Sequence, residues 1–246
     1  MAQWVEGVVV ANIAWTERLH SLQVAADIAP FSAGQFIKLG AMIDGVEVGR
    51  PYSLVNPPHL TPLEFCFSVV AGGPLSGRLA AMREGKRLLV APRANGFMVL
   101  AEVPAARVLW LIATGTGIGP FLAILRTAEP WQRFERVVLV HAARMAGELV
   151  YRNVIDGIAA AQRGQFAYVP FVSREPTEFA LPGRIPQAIA DGALESRAGA
   201  AFDLQSHVML CGNPQMVDDA QAALIARGLR KHRRREPGHI TVESYW

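Results

Sequence analysis

The rhythm of hydrophobic and polar positions changes near the middle of this chain. From Trp4 to about Val99, short alternating runs are broken by turn residues. These runs are Gly7–Ile13, Leu19–Ala25, Gln35–Met42, Pro51–Val55, Leu63–Val70 and Arg87–Ala91. Strands this short and closely spaced predict a small antiparallel β-barrel. Asp44 and Gly45 separate two of the runs and predict a hairpin turn. One helical pattern interrupts the strands, Ser76–Arg83, with Ser76 as its expected N-cap and Gly85 as its expected stop.

After Pro104 the runs lengthen and become apolar throughout. Val108–Ala113 and Arg136–His141 read as strands buried on both faces of a parallel sheet. Further strands are expected at Phe166–Ser173, His207–Cys211 and His239–Glu243. Helical patterns fall between them, at Phe121–Arg126, Leu149–Arg163, Ile185–Asp191 and Pro214–Gly228. This alternation predicts a doubly wound α/β domain. The change of rhythm falls near Ala101–Pro104, so the expected domains are residues 1–101 and 102–246. No internal repeat or low-complexity tract is evident.

Composition narrows the class without naming it. The 246 residues are 51% hydrophobic, enough for a large core in one or two domains. The net charge of +3 favours an acidic partner only weakly and is no nucleic-acid signature. The one dense basic run, Arg230–Arg235, reads as a solvated helix end or as a local cationic surface. Two distant cysteines, Cys66 and Cys211, argue against a disulfide framework and for a reducing compartment. They are also too few for an iron–sulfur cluster. No apolar run reaches the ~18–20 residues of a membrane span. Met1–Trp4 lacks the start of a secretory signal, so a cytoplasmic protein away from membranes is expected.

Candidate chemistry begins at Arg50, Pro51, Tyr52 and Ser53, which set a cation, an aromatic ring and a hydroxyl side by side. A flavin nucleotide needs all three: a charge for its phosphate, a flat face for its ring, and a hydrogen bond near N5. An ordinary barrel strand with one surface arginine is the plainer alternative. Ser76 begins a helix after a glycine turn and is placed either to hold a flavin pyrophosphate or simply to cap the helix.

In the second half, Gly115, Thr116, Gly117 and Gly119 follow the first buried strand and open a helix. Such a loop lets backbone N–H groups approach a pyrophosphate, although a tight strand–helix turn has the same look. Its spacing is not G-x-G-x-x-G. The second strand ends in His141, Ala142, Ala143 and Arg144, where an acid would favour NAD. Arg174, beside Ser173, and Arg184 follow later loops. Three arginines suit a dianionic 2′-phosphate through charge-assisted hydrogen bonds. The plainer alternative is three exposed cations with Glu148 and Glu175 as local partners. Cys211, Gly212 and Asn213 end the fourth strand, at the edge where open α/β sheets bind ligands. There the thiol either helps place a nicotinamide or is a small apolar residue. The chain closes on Tyr245 and Trp246, aromatic where termini are usually polar. Trp246 either anchors the tail or stacks on the flavin face opposite Tyr52.

These segments in this order resemble the ferredoxin–NADP reductase family, in its bacterial branch, over essentially the whole chain. The likeness rests on Arg50–Ser53, Gly115–Pro120, Val140–Arg144, Ser173 and Arg174, Gly183–Pro186, Val208–Met216, and Tyr245 with Trp246. It implies an FAD-binding barrel followed by an NADP-binding α/β domain. FAD would be held by Arg50, Pro51, Tyr52, Ser53, Phe67, Ser68, Val69, Pro74, Leu75, Ser76, Thr116 and Trp246. NADP would be held by Gly115, Thr116, Gly117, Arg144, Ser173, Arg174, Arg184, Cys211, Gly212 and Asn213. Ser53, Cys211 and Trp246 would stand beside the reacting rings as catalytic residues. The implied activity passes electrons between NADPH and a separate ferredoxin or flavodoxin, in a monomer that uses no metal. Cys66 departs from the pattern, standing where an aromatic ring is expected. The rival readings are a reductase component of an oxygenase system, a flavin-binding redox sensor, and a nucleotide-binding module without flavin.

Overall fold

The computed structural model describes residues 4–244 and divides the chain into two compact units. The first comprises residues 1–99 and 119–126, the second residues 100–118 and 127–246.

The first unit is built on six antiparallel strands: β1 (Val5–Ala14), β2 (Leu19–Ala26), β3 (Phe36–Ile43), β4 (Val46–Ser53), β5 (Leu63–Ser68) and β6 (Arg87–Val90). Their order in the sheet is β4-β3-β6-β1-β2-β5. The two outer strands meet just past β4, where Leu54 bridges Phe65 and the Val55 N–H donates to the Glu64 carbonyl at 2.9 Å. That contact curls the sheet into a barrel and leaves little edge exposed. Asp44 (φ 50°) and Gly45 (φ 80°) make the β3–β4 turn, the pair of positive φ angles that a two-residue hairpin requires. β4 starts at Val46 rather than Pro51, because its whole length is zipped to β3, from Val46 opposite Ile43 to Ser53 opposite Phe36. Leu22, Val24, Ile37, Leu39, Phe65 and Leu79 pack the interior.

The helix α1 (Ser76–Ala81) corrects two expectations. Ser76 is not the N-cap; Leu75 holds that position, and the Ser76 hydroxyl instead accepts the Val70 N–H at 2.9 Å. Gly85 does not end the helix, which stops at Ala81. The Asn12 side-chain amide reaches across from β1 and donates to the carbonyls of Leu79, Ala80 and Met82, at 3.0, 3.0 and 2.8 Å. Those carbonyls lie at the helix end, where no further turn supplies partners. The unit's second segment contains α2 (Gly119–Leu125), which is buried throughout.

The second unit contains a parallel sheet of β7 (Val108–Thr114), β8 (Arg136–Ala143), β9 (Phe166–Val172), β10 (Leu181–Pro182), β11 (Ser206–Gly212) and β12 (Ile240–Ser244). The order is β10-β9-β8-β7-β11-β12, so strands are added outward on one side of β7 and then, from β11, on its other side, all of them parallel. Around it lie α3 (Glu129–Arg133), α4 (Arg152–Ala161), α5 (Ile185–Ala190), α6 (Ala193–Ala198) and α7 (Pro214–Ala226). One face of the sheet packs Trp110, Val138, Val169, Val208 and Leu210 against α5, α6 and α7. Trp110 also stacks on Phe202, with ring centroids 4.1 Å apart.

α3, α6 and β10 were not expected from the pattern; they span only five, six and two residues. The helix expected at Leu149–Arg163 begins later, because Tyr151 adopts a left-handed conformation (φ 62°) just before α4. The basic run is not a helix end. α7 stops at Ala226, and residues 230–236 form a loop in which Arg234 makes a forked ion pair with Glu102. Among the described residues, no helix is long and apolar enough to cross a membrane, and no cluster of potential ligands suits a metal.

Candidate functional site

In the first unit, the strand pairing brings several expected flavin residues together. Tyr52, near the end of β4, meets Phe67 of β5 edge to face, with centroids 5.8 Å apart. His20 stacks on Phe67 at 5.7 Å. The Tyr52 ring is half-buried, and burial pushes its hydroxyl up to about 12, against a smaller lowering by Arg50. It is therefore a neutral phenol across the physiological range. Arg50 is exposed; its guanidinium donates to the Gly49 carbonyl at 2.8 Å, and no carboxylate pairs with it among the described residues. Ser53 is buried, and Gly119 lies beside it, where a Cβ would come into ordinary contact 3.7 Å from the Ser53 Cβ.

Ser68 and Val69 are half-buried, and the Val69 backbone is gripped from β2. Its N–H donates to the Arg18 carbonyl at 2.7 Å, and its carbonyl accepts the Arg18 guanidinium at 3.1 Å. Pro74 is exposed, while Leu75 and Ser76 are buried. Cys66, the position where an aromatic ring was expected, is buried too, but it is not among the residues of the barrel core that Leu63, Phe65 and Phe67 join. A flat half-buried phenol, an unpaired guanidinium and a braced loop fit what a flavin nucleotide requires of a protein.

In the second unit, all the expected nucleotide residues follow the carboxyl ends of parallel strands, and so share one edge of the sheet. Gly115–Ile118 forms a turn of 3-10 helix directly after β7. Gly115 has φ 54° and open space where a side chain would stand, as a loop that admits a ligand against its backbone requires. Gly117 lies hard against β11, and a Cβ on it would stand 2.5 Å from the Cys211 carbonyl oxygen. Thr116 is buried beside it. Between β7 and β11, the Thr114 hydroxyl accepts the Asn213 N–H at 2.9 Å. The Asn213 side chain then caps α7 by accepting the Met216 N–H at 3.2 Å. The loops after β7 and β11 are thus tied together at the topological switch point, where open α/β sheets take their ligands.

His141 secures this edge from beneath. It is fully buried, and its Nε2 lies 3.0 Å from the Gly115 carbonyl. Burial lowers its pKa to about 4, against a smaller opposing contribution from that hydrogen bond. A neutral ring with Nε2 protonated donates to the carbonyl and leaves Nδ1 unprotonated. The other nitrogen, Nδ1, is buried without a hydrogen-bond partner among the described residues.

Arg144, Arg174 and Arg184 are all exposed beside this edge. The loops carrying the first two are laced together. The Arg174 N–H donates to the Arg144 carbonyl at 2.9 Å, and Ser173 donates through both its N–H and its hydroxyl to the Ala143 carbonyl. The alternative reading, in which Glu148 and Glu175 pair with these arginines, finds no such ion pair among the described residues. Glu148 accepts the backbone N–H groups of Arg144 and Met145, both at 3.0 Å, and Glu175 accepts that of Ala146. Among the described residues, none of the three arginines has a carboxylate partner.

One residue at this edge escaped the sequence reading. Glu243 sits opposite Cys211 in the β11–β12 register. One of its carboxyl oxygens is buried with no hydrogen-bond partner among the described residues, and burial raises its pKa to about 7. The only hint in the sequence was an acid placed at the carboxyl end of the last strand. Trp246 lies outside the described residues.

An antiparallel barrel unit and a parallel sheet with a glycine loop at its switch point are the two parts of a nucleotide-binding oxidoreductase. Residues 111–222 match the family model described as an oxidoreductase NAD-binding domain. The chain belongs to the flavodoxin/ferredoxin–NADP reductase family. It is 48% identical to the flavodoxin/ferredoxin–NADP reductase of Escherichia coli (strain K12), over 100% of both chains. It is 32% identical to the ferredoxin–NADP reductase of Pseudomonas aeruginosa, over 93% of this chain and 92% of the other. A solved ferredoxin NADP+ reductase from Neisseria gonorrhoeae, with bound FAD and NADP, superposes with a TM-score of 0.93 at 31% identity, over 100% of both chains.

Proposed function

We propose that this chain is an FAD enzyme that passes electrons between NADPH and a separate one-electron carrier protein, a ferredoxin or a flavodoxin. The observation that carries the reading is the set of unpaired guanidinium groups at the carboxyl edge, Arg144, Arg174 and Arg184, left free because Glu148 and Glu175 are spent on backbone N–H groups. A 2′-phosphate is the dianion that distinguishes NADPH from NADH, and forked guanidinium hydrogen bonds are suited to it.

FAD would be held by Arg50 on its phosphate, Tyr52 on its ring and Ser53 near N5, with Phe67–Val69 and Pro74–Ser76 along its length. When bound, FAD supplies the conversion between a two-electron hydride donor and single electrons. The chain supplies orientation. Tyr52 offers a flat, uncharged face, and the Gly115–Gly117 loop brings backbone N–H groups to a pyrophosphate. Cys211 would border the nicotinamide, Thr116 would lie near both cofactors, and Trp246 would cover the second flavin face. The FAD role would fall to residues 1–101 and the NADP role to residues 102–246, except that residues 119–126 group with the first compact unit. Two cysteines cannot hold a cluster of their own, so the single electrons leave on another protein. We assign the working form as a cytoplasmic monomer.

The test is absorbance of the purified yellow protein under anaerobic NADPH, followed by cytochrome c reduction with and without added ferredoxin or flavodoxin. NADPH bleaches the flavin far faster than NADH, and the cytochrome is reduced rapidly only with the carrier. Equal bleaching by both nucleotides would remove the assignment of the three arginines.

A further inference from the structure

At the amino end of β11 and β12, the edge opposite the nucleotide residues, three imidazoles enclose the loop between α7 and β12. The His239 Nδ1 accepts the Arg230 N–H at 3.2 Å, and the His232 Nδ1 accepts the Gly238 N–H at 3.3 Å. The His207 Nε2 lies 2.9 Å from the Thr241 hydroxyl, joining β11 to β12 through their side chains. The His207 and His232 rings meet edge to face, 5.7 Å apart. Gly238 is wedged beneath them, since a Cβ there would stand 2.7 Å from the Arg230 carbonyl oxygen.

A backbone N–H only donates. Both Nδ1 atoms therefore carry lone pairs, and His232 and His239 are bound here as neutral imidazoles. A proton on either Nδ1 turns an acceptor into a donor facing a donor, and the bond is lost. The His232 Nε2 is already buried without a hydrogen-bond partner among the described residues, so a proton there gains no compensating bond from them. Arg133 and His239 act on His207, and the two acids at this end are taken up by arginines: Glu102, on which His232 also acts, by Arg234 in a forked pair, and Glu236 by Arg233. His207 itself is held neutral, its pKa lowered to about 3 by burial first and then by His232 and His239.

We propose that His207, His232 and His239 are positioning residues that fasten β12 to β11 only while uncharged, so that acidification releases the loop 230–239 and loosens the strand that carries Glu243 beside Cys211. The link to catalysis rests on the flavoenzyme reading; the fastening does not.

The experiment is residue-resolved hydrogen exchange on the FAD-loaded full chain at about pH 7.5 and about pH 5.5, bracketing the ordinary histidine range. The readout is the protection factor, which corrects for the intrinsic effect of pH on exchange. Protection of the Arg230 and Gly238 N–H groups should fall by about tenfold or more at the lower pH, the scale of one lost hydrogen bond. The double variant His232→Asn with His239→Asn keeps an oxygen acceptor near each Nδ1 position but does not titrate, and should keep its protection at both pH values. The kcat for NADPH should fall toward pH 5.5 in the wild type and lose that fall in the double variant. Unchanged protection in the wild type, or the same fall in the double variant, overturns the proposal. Should the variant not fold, the imidazole 15N shifts of the wild type decide: an unprotonated Nδ1 on both rings at about pH 7.5, protonated as loop protection is lost, is required. Absence of NADPH bleaching together with intact pH-dependent protection would sink only the flavoenzyme reading.

Discussion

Gly117 and Cys211 are in such close contact that the loop after β7 can carry no side chain where it passes β11. A methyl group at position 117 would stand 2.5 Å from the Cys211 carbonyl oxygen, a fixed backbone atom. Gly117→Ala must push the two loops apart. The expected cost is about 1–3 kcal/mol of stability, typical of forced overpacking. The urea midpoint should fall and the KM for NADPH should rise, while the visible flavin spectrum is retained. An unchanged midpoint and KM would show that the loops move apart freely.

The unpaired arginines separate the two nicotinamide nucleotides. Arg144→Ala and Arg184→Ala should each raise the KM for NADPH by about ten- to a hundredfold, the range for hydrogen bonds to a charged group. The KM for NADH should change little. Steady-state kinetics with both nucleotides measures this directly, and an equal loss for both would contradict the phosphate role.

Glu243 links stability to pH. Its pKa rises from the ordinary 4.5 to about 7 in the folded chain, because burial disfavours the carboxylate. The folded state therefore holds a proton that the unfolded state has released between those values. Stability falls as pH rises through this window, and above about pH 7 the penalty is constant, on the order of 3 kcal/mol. Glu243→Gln removes it. Urea unfolding at pH 5 and pH 8 should show the variant gaining on the wild type at the higher pH, by about that order. A constant difference at both pH values would mean that Glu243 is ionised throughout.

Tyr52 should act through its ring. Tyr52→Phe should retain FAD, whereas Tyr52→Ala should weaken FAD binding by about threefold to tenfold, the scale of one aromatic stack. Fluorescence of released flavin on dilution reports the difference. Equal retention in both variants would place the isoalloxazine elsewhere.

The long apolar runs were legible from sequence because they needed no tertiary information. Val108–Ala113 and Arg136–His141 are apolar at almost every position, as only strands covered on both faces are, and both lie in the parallel sheet. Asp44 and Gly45 were equally plain, since few other pairs tolerate two positive φ angles. The short helices α3 and α6 escaped because five or six residues are too few to display a helical period. Ser76 was misjudged because its hydroxyl has a competing partner, the Val70 N–H, which only the folded turn brings near. The site divides in the same way. The arginines were visible as residue types after strands, but whether Glu148 and Glu175 would pair with them depended on where those two acids turned. Glu243 was hidden because an acid in sequence carries no sign of whether water will reach it.

The first compact unit draws on residues 119–126 as well as 1–99. A nascent chain that has emerged only to Val99 lacks α2, whose seven residues are all buried in the finished protein. The first unit therefore cannot be completed during translation until the glycine loop of the second unit has also been made, and no single cut in the chain separates the two units whole.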